Sequence, residues 1–179
     1  LTACPQDDGA EPPAQREGGL LAGQVDSFTR QDSLRGSITP EREWWDLVYY
    51  DLQVAVDPEN RSLSGSNRIS YEVLVPASRL QIDLQAPLKL EAAIQDGESL
   101  EVTSEGNAHF IHLKKKQLPG TLQTVTVRYS GVPREAVNAP WDGGLSWKED
   151  GRGQPFIATS CQGLGASVWW PNKDHMYDE

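Results

Sequence analysis

The sequence predicts an all-β domain, built as a sheet or sandwich. Apolar and polar residues alternate with a period of two over short runs, as in strands with one buried face. Turn residues separate those runs at near-regular intervals. The one clear helix-start signal gives way almost at once to strand pattern.

The chain opens with Leu1-Thr2-Ala3-Cys4, a sequence like a bacterial lipobox, in which a lipid is joined to the cysteine sulfur. Residues 5–23 are rich in Gly, Pro, Gln and acids and hold little that could be buried. Residues 1–26 therefore read as a lipobox-like start and a disordered tether. Cys4 is the expected lipidation site and its lipid the only route to a membrane, which implies an exported, periplasmic or outer-membrane lipoprotein. The folded domain is expected over 27–179.

Within that domain, 28–37 is polar with sparse apolar anchors and is expected to lie extended. Thr39-Pro40-Glu41-Arg42-Glu43 signals a short helix: Thr can cap it, Pro suits its first position and acids favour its first turn. Leu52, Val54 and Val56 then alternate with polar or small residues until Asp57-Pro58-Glu59-Asn60 turns the chain. Ile69, Tyr71, Val73 and Val75 repeat the pattern. Further strands are expected at 80–84, 88–94, 100–102, 109–113, 122–129 and 156–159. Turns fall at Asp96-Gly97, Glu105-Gly106-Asn107, Pro119-Gly120 and Asp150-Gly151.

Composition narrows the function classes. The formal net charge of −10 over 179 residues argues against nucleic acid or an anionic membrane surface as partner. Two cysteines, Cys4 and Cys161, supply neither a disulfide framework nor a Cys-based zinc site. No apolar run reaches the length of a membrane helix.

Candidate chemistry is sparse. His109 and His112 lie three apart in an expected edge-like strand, so they face opposite ways and cannot clamp one metal. The lysines at 114–116 read as a charged strand end that discourages aggregation. Gln162-Gly163-Leu164-Gly165-Ala166-Ser167 lacks the third glycine of a dinucleotide loop, and Trp169-Trp170-Pro171 replaces the helix that should follow. Ser167 has no evident base, and Cys161 reads as a small buried residue. The paired tryptophans Trp44-Trp45 and Trp169-Trp170 would face opposite sides of a strand, so one of each pair needs a second surface.

Several segments together resemble the zinc aminopeptidases of the aminopeptidase N and leukotriene hydrolase family, the membrane alanyl aminopeptidases. They are Asp32-Ser33-Leu34-Arg35-Gly36-Ser37, Thr39-Pro40-Glu41-Arg42, Trp44-Trp45-Asp46, Gln81-Ile82-Asp83-Leu84-Gln85 and Trp141-Asp142-Gly143-Gly144. Ser160-Cys161-Gln162 through Trp170-Pro171-Asn172-Lys173-Asp174 completes the set. The resemblance implies a saddle-shaped N-terminal β-domain packed on a catalytic domain that follows in the same polypeptide. The zinc ligands and base of that second domain, His-Glu-x-x-His and a further Glu, do not occur in these 179 residues, nor does Gly-x-Met-Glu-Asn. The resemblance thus places no catalytic residue and no metal ligand here, and this chain alone is expected to be inactive. It carries over one substrate-binding residue: Gln162 matches a Gln or Glu that reaches into the cleft toward a peptide's N-terminal amine. Asn172 departs from the family, where Cys is common. The alternative is a freestanding β-sandwich that binds carbohydrate or peptide on Trp141, Trp147 and Trp169.

Overall fold

The computed structural model describes residues 28–175. Cys4 and the expected tether lie outside the described residues. Seven strands form one antiparallel sheet: β1 (Trp45–Asp57), β2 (Ser62–Val73), β3 (Ala77–Asp83), β4 (Lys89–Gln95), β5 (Glu98–Glu105), β6 (Ala108–Gln117) and β7 (Leu122–Gly131). Their spatial order is β1-β2-β7-β4-β5-β6-β3. β4 and β5 share only the pairs Ala93–Leu100, Ile94–Ser99 and Gln95–Glu98, so a four-stranded and a three-stranded part meet at a narrow seam and the sheet curls. A separate hairpin, β8 (Gly144–Glu149) and β9 (Pro155–Ser160), follows. The all-β expectation holds.

Strand periodicity builds the main core. Ile69, Tyr71 and Val73 of β2 face Val125 and Val127 of β7, joined by Leu80 and Ile82 of β3 and Ile111 of β6. On β1 the alternation changes phase. The register slips between Leu47 and Tyr49, leaving Val48 and Tyr49 exposed, after which Tyr50, Leu52 and Val54 point inward. This bulge inserts a residue where strict alternation would have turned the rest of β1 inside out.

Four expectations are corrected. Residues 30–36 are not extended but form a helix, α1 (Arg30–Gly36). Thr29 caps it in a reciprocal capping box with Asp32, and Leu34 is its buried anchor. The expected second helix is present as α2 (Pro40–Glu43), although the Thr39 hydroxyl caps nothing and donates to Gln81 Oε1 at 2.7 Å instead.

Trp44 and Trp45 need no second surface. Trp44 closes α2 while Trp45 opens β1, so they leave the backbone in different conformations and both pack edge-on to Tyr71, at 5.8 and 5.5 Å. β6 is not an edge strand, because β5 and β3 flank it. Its His109 is buried, bonded to Ser104 Oγ at 2.8 Å, and burial lowers its pKa. His112, on the other face, bonds to Thr103 at 2.9 Å. The fourth correction, to Cys161, concerns the site.

Candidate functional site

The site begins with the two faces of β3. Leu80, Ile82 and Leu84 point into apolar clusters, so period two turns Gln81, Asp83 and Gln85 the other way. That polar face is buried too, which ordinarily costs free energy unless every group finds a partner. The partners come from both ends of the described chain.

Arg42, on α2, is fully buried and pairs with Asp83. Its Nη1 also donates to the carbonyls of Leu34 at 2.8 Å, Ser37 at 2.9 Å and Arg35 at 3.3 Å. One guanidinium thereby fixes the end of α1 against β3. Gln81 Nε2 adds bonds to Leu34 O and Asp83 Oδ1, both at 3.1 Å. Burial pushes the Asp83 carboxyl up to about 6, against the pull of Arg42 and the Gln81 amide.

From the other end comes the segment after β9. Asn172 pairs with Asp83 as a one-residue extension of the sheet, through Asp83 N to Asn172 O at 2.7 Å and Asn172 N to Asp83 O at 3.1 Å. Gln85 N donates to Ser167 O at 2.8 Å, and Gln85 Nε2 to Ser167 Oγ at 3.1 Å. Asn67 Nδ2 holds Pro171 O at 2.9 Å. Lys173 donates from Nζ to Trp45 O at 2.7 Å, lies 4.3 Å above the Trp45 ring, and gives its backbone N–H to Tyr50 OH at 2.8 Å. The Trp169–Asp174 stretch, whose packing its sequence leaves open, is thus stitched across the β3 edge and the start of β1.

Between β9 and this stitched stretch, residues 161–165 make a tight turn. The N–H groups of Leu164 and Gly165 both reach Cys161 O, at 3.3 and 2.9 Å. Gly165 has φ +75°, and a Cβ there would run into the Asp174 carboxylate, which itself accepts from Ser167 Oγ. Close packing in this glycine-rich stretch is found at Gly165. At Gly163, by contrast, there is open space.

Gln162 sits on this turn, exposed, with its neighbours anchored on both sides. Ser160 Oγ donates to Pro140 O at 2.8 Å before it, and Ser167 is buried after it. Cys161 is exposed rather than buried, because β9 ends at Ser160 and Cys161 already belongs to the turn. The arrangement presents a neutral amide, acceptor and donor together, on an exposed turn.

The other sequence candidates separate. Trp147 and Trp169 pack against the second apolar cluster with Leu84, Leu88 and Leu145, while Trp141 is 73% exposed. Trp169 and Trp170 meet edge to face at 6.0 Å, and Trp170 does the same with Tyr50 at 4.8 Å. Among the described residues no group of three or more His, Cys, Asp or Glu is placed to hold a metal ion. The residues that sequence reasoning missed are Arg42 and Asp83 as a buried pair. Both stand inside quoted motifs, and a charged residue in a strand flanked by buried apolar neighbours was the available signal.

No protein-family model and no curated protein matches this sequence. Solved structures do share its fold. An M1 zinc metallopeptidase from Deinococcus radiodurans aligns with a TM-score of 0.59 at 23% identity, over 81% of this chain and 33% of that one. A mutant of that enzyme bound to a Tyr-Ser-Ala substrate aligns equally well, at 0.59 and 23% over the same shares. Yeast LTA4 hydrolase in complex with bestatin gives 0.58 at 17% identity, over 83% of this chain and 25% of that one. The fold is therefore one found within M1 zinc metallopeptidases, in agreement with the resemblance read from the sequence. This chain spans about a third of the Deinococcus protein's length, 33%.

Proposed function

We propose that this chain is the noncatalytic N-terminal β-domain of a zinc aminopeptidase of the M1 type, and that it lines the substrate cleft with Gln162. The observation that carries the reading is an exposed amide on a hydrogen-bonded turn, in a fold shared with M1 enzymes, at the residue that the sequence resemblance matches to the family's amine-binding position. A peptide's N-terminal ammonium is a donor, and the Gln162 carbonyl is an acceptor that remains neutral at any working pH. The zinc and its ligands belong to the catalytic domain of the same polypeptide, on which this domain packs. The lipobox-like start extends the reading to an exported lipoprotein held to the membrane through Cys4.

The test is Gln162→Ala in the whole polypeptide. KM for dipeptide and tripeptide substrates is expected to rise by about 5- to 150-fold, the equivalent of roughly 1–3 kcal/mol for a charged group losing its hydrogen-bond partner. Zinc content should not change. Equal KM values for variant and wild type remove Gln162 from the substrate site.

A further inference from the structure

The turn that presents Gln162 is joined to an element far away in sequence. Arg35, on α1, donates from Nη2 to the carbonyl of Gly163, the residue immediately after Gln162. Between α1 and the turn runs a cleft of about 180 Å³, lined by Leu34, Arg35, Asp83, Gln85 and Leu164 among others. Arg35 reaches across it.

α1 is a firm base for such a reach. Its start is closed by the Thr29–Asp32 capping box, in which Asp32 is held below the ordinary carboxylate range by Thr29. Arg30 pairs with Glu105 on β5 at 3.0 Å, and buried Arg42 grips the Leu34, Arg35 and Ser37 carbonyls from below. The Arg35 backbone is thus tied to the domain while its side chain reaches the turn.

The turn, in contrast, needs holding at this point. Gly163 has φ +71°, a conformation that glycine adopts without preference over its alternatives, and no heavy atom stands near the position of its missing Cβ. The N–H of the peptide it forms with Leu164 reaches Cys161 O at 3.3 Å, and its carbonyl is the group that Arg35 meets. A charge-assisted bond to its carbonyl holds the peptide between Gly163 and Leu164, one peptide beyond the one that follows Gln162.

We propose that Arg35 is a positioning residue for substrate binding: it orients the Gln162 amide by clamping the Gly163 carbonyl. The inference rests on the proposed role of Gln162, since a clamp matters to substrate only if the clamped residue touches it. Its chemistry also makes a specific demand. Lysine at position 35 supplies a cationic donor of shorter reach and restores part of the effect, whereas alanine or methionine does not.

Four forms of the whole polypeptide test this: wild type, Arg35→Ala, Arg35→Lys and Gln162→Ala, together with the Arg35→Ala/Gln162→Ala double variant. Arg35→Ala should raise KM about three- to tenfold with kcat, zinc content and melting temperature near wild type, and Arg35→Lys should lie between. The double variant should show the KM of Gln162→Ala alone, because the clamp acts through that residue. If Gln162→Ala raises KM while Arg35→Ala does not, or the two effects multiply, the clamp is overturned and Gln162 keeps its role. If Gln162→Ala leaves KM unchanged, the cleft reading falls and the inference falls with it.

Discussion

Arg42→Ala is expected to lower the unfolding free energy by about 3–5 kcal/mol at neutral pH, the cost of stripping one partner from a buried ion pair. The guanidinium is fully buried and meets Asp83 together with three backbone carbonyls. Removing it strands a carboxylate and the end of α1 at once. The loss has a pH signature. Burial already holds the Asp83 carboxyl near 6, above its unfolded value of 3.8. The native state therefore binds more protons than the unfolded chain between those values, and this group's contribution falls as pH rises through that window. Without Arg42 the native value rises further. The cost of Arg42→Ala should accordingly be smaller at pH 5 than at pH 8, as read by urea unfolding at both. Asp83→Asn in the same background should remove the pH dependence. A cost below about 1 kcal/mol, or one independent of pH, would show the pair to be peripheral.

Trp45→Ala should cost a comparable amount, about 3–5 kcal/mol, for a buried indole truncated to a methyl group. The ring is 1% exposed, lies 5.5 Å from Tyr71, and donates from Nε1 to Glu41 O at 2.9 Å. Its second effect distinguishes it from an ordinary core deletion. Lys173 rests on this ring, so the stretch that carries Asn172 and Asp174 loses its platform. Amide exchange at 172–174 should accelerate more in Trp45→Ala than in Ile69→Ala, which is buried in the same cluster but is not the ring on which Lys173 rests. Trp45→Phe, which keeps an aromatic face, should restore most of the protection. Equal exchange in the two alanine variants would mean that the core and the site segment are not coupled through this ring.

Both variants act on groups that the sequence hides in different ways. The strands were legible because their buried faces are apolar: Ile69, Tyr71 and Val73, or Val125 and Val127, announce themselves by period two. β8 carries little signal even though Leu145 and Trp147 alternate with Ser146 and Lys148, because it is only six residues long and opens at Gly143-Gly144. α1 is hidden because seven residues with one apolar anchor show no helical period. Its capping box, with Asp in place of the usual Glu or Gln at the third position, was the clue.

The buried face of β3 was legible least of all. Gln81, Asp83 and Gln85 look like the solvent side of an ordinary strand, and what covers them is 41 residues away at Arg42 for Asp83, and 82 away at Ser167 for Gln85. Local pattern cannot report a partner at that distance. Cys161 failed for a related reason: a small residue after a strand is buried or exposed according to where the strand stops. Gln162 was found by resemblance and by nothing in its own surroundings. Its exposure and the bracing of its turn by Arg35, Ser160 and Ser167 are what the fold adds.

The proposal is that this chain supplies a wall of the cleft, with the zinc and the chemistry in a catalytic domain of the same polypeptide. Zinc content and aminoacyl-anilide hydrolysis, measured side by side on the chain ending at Glu179 and on the whole polypeptide, test it most directly. The account predicts stoichiometric zinc and turnover in the whole polypeptide, and neither in the chain ending at Glu179. Hydrolysis by the shorter chain, or a whole polypeptide that neither holds zinc nor cleaves the anilide, would contradict it.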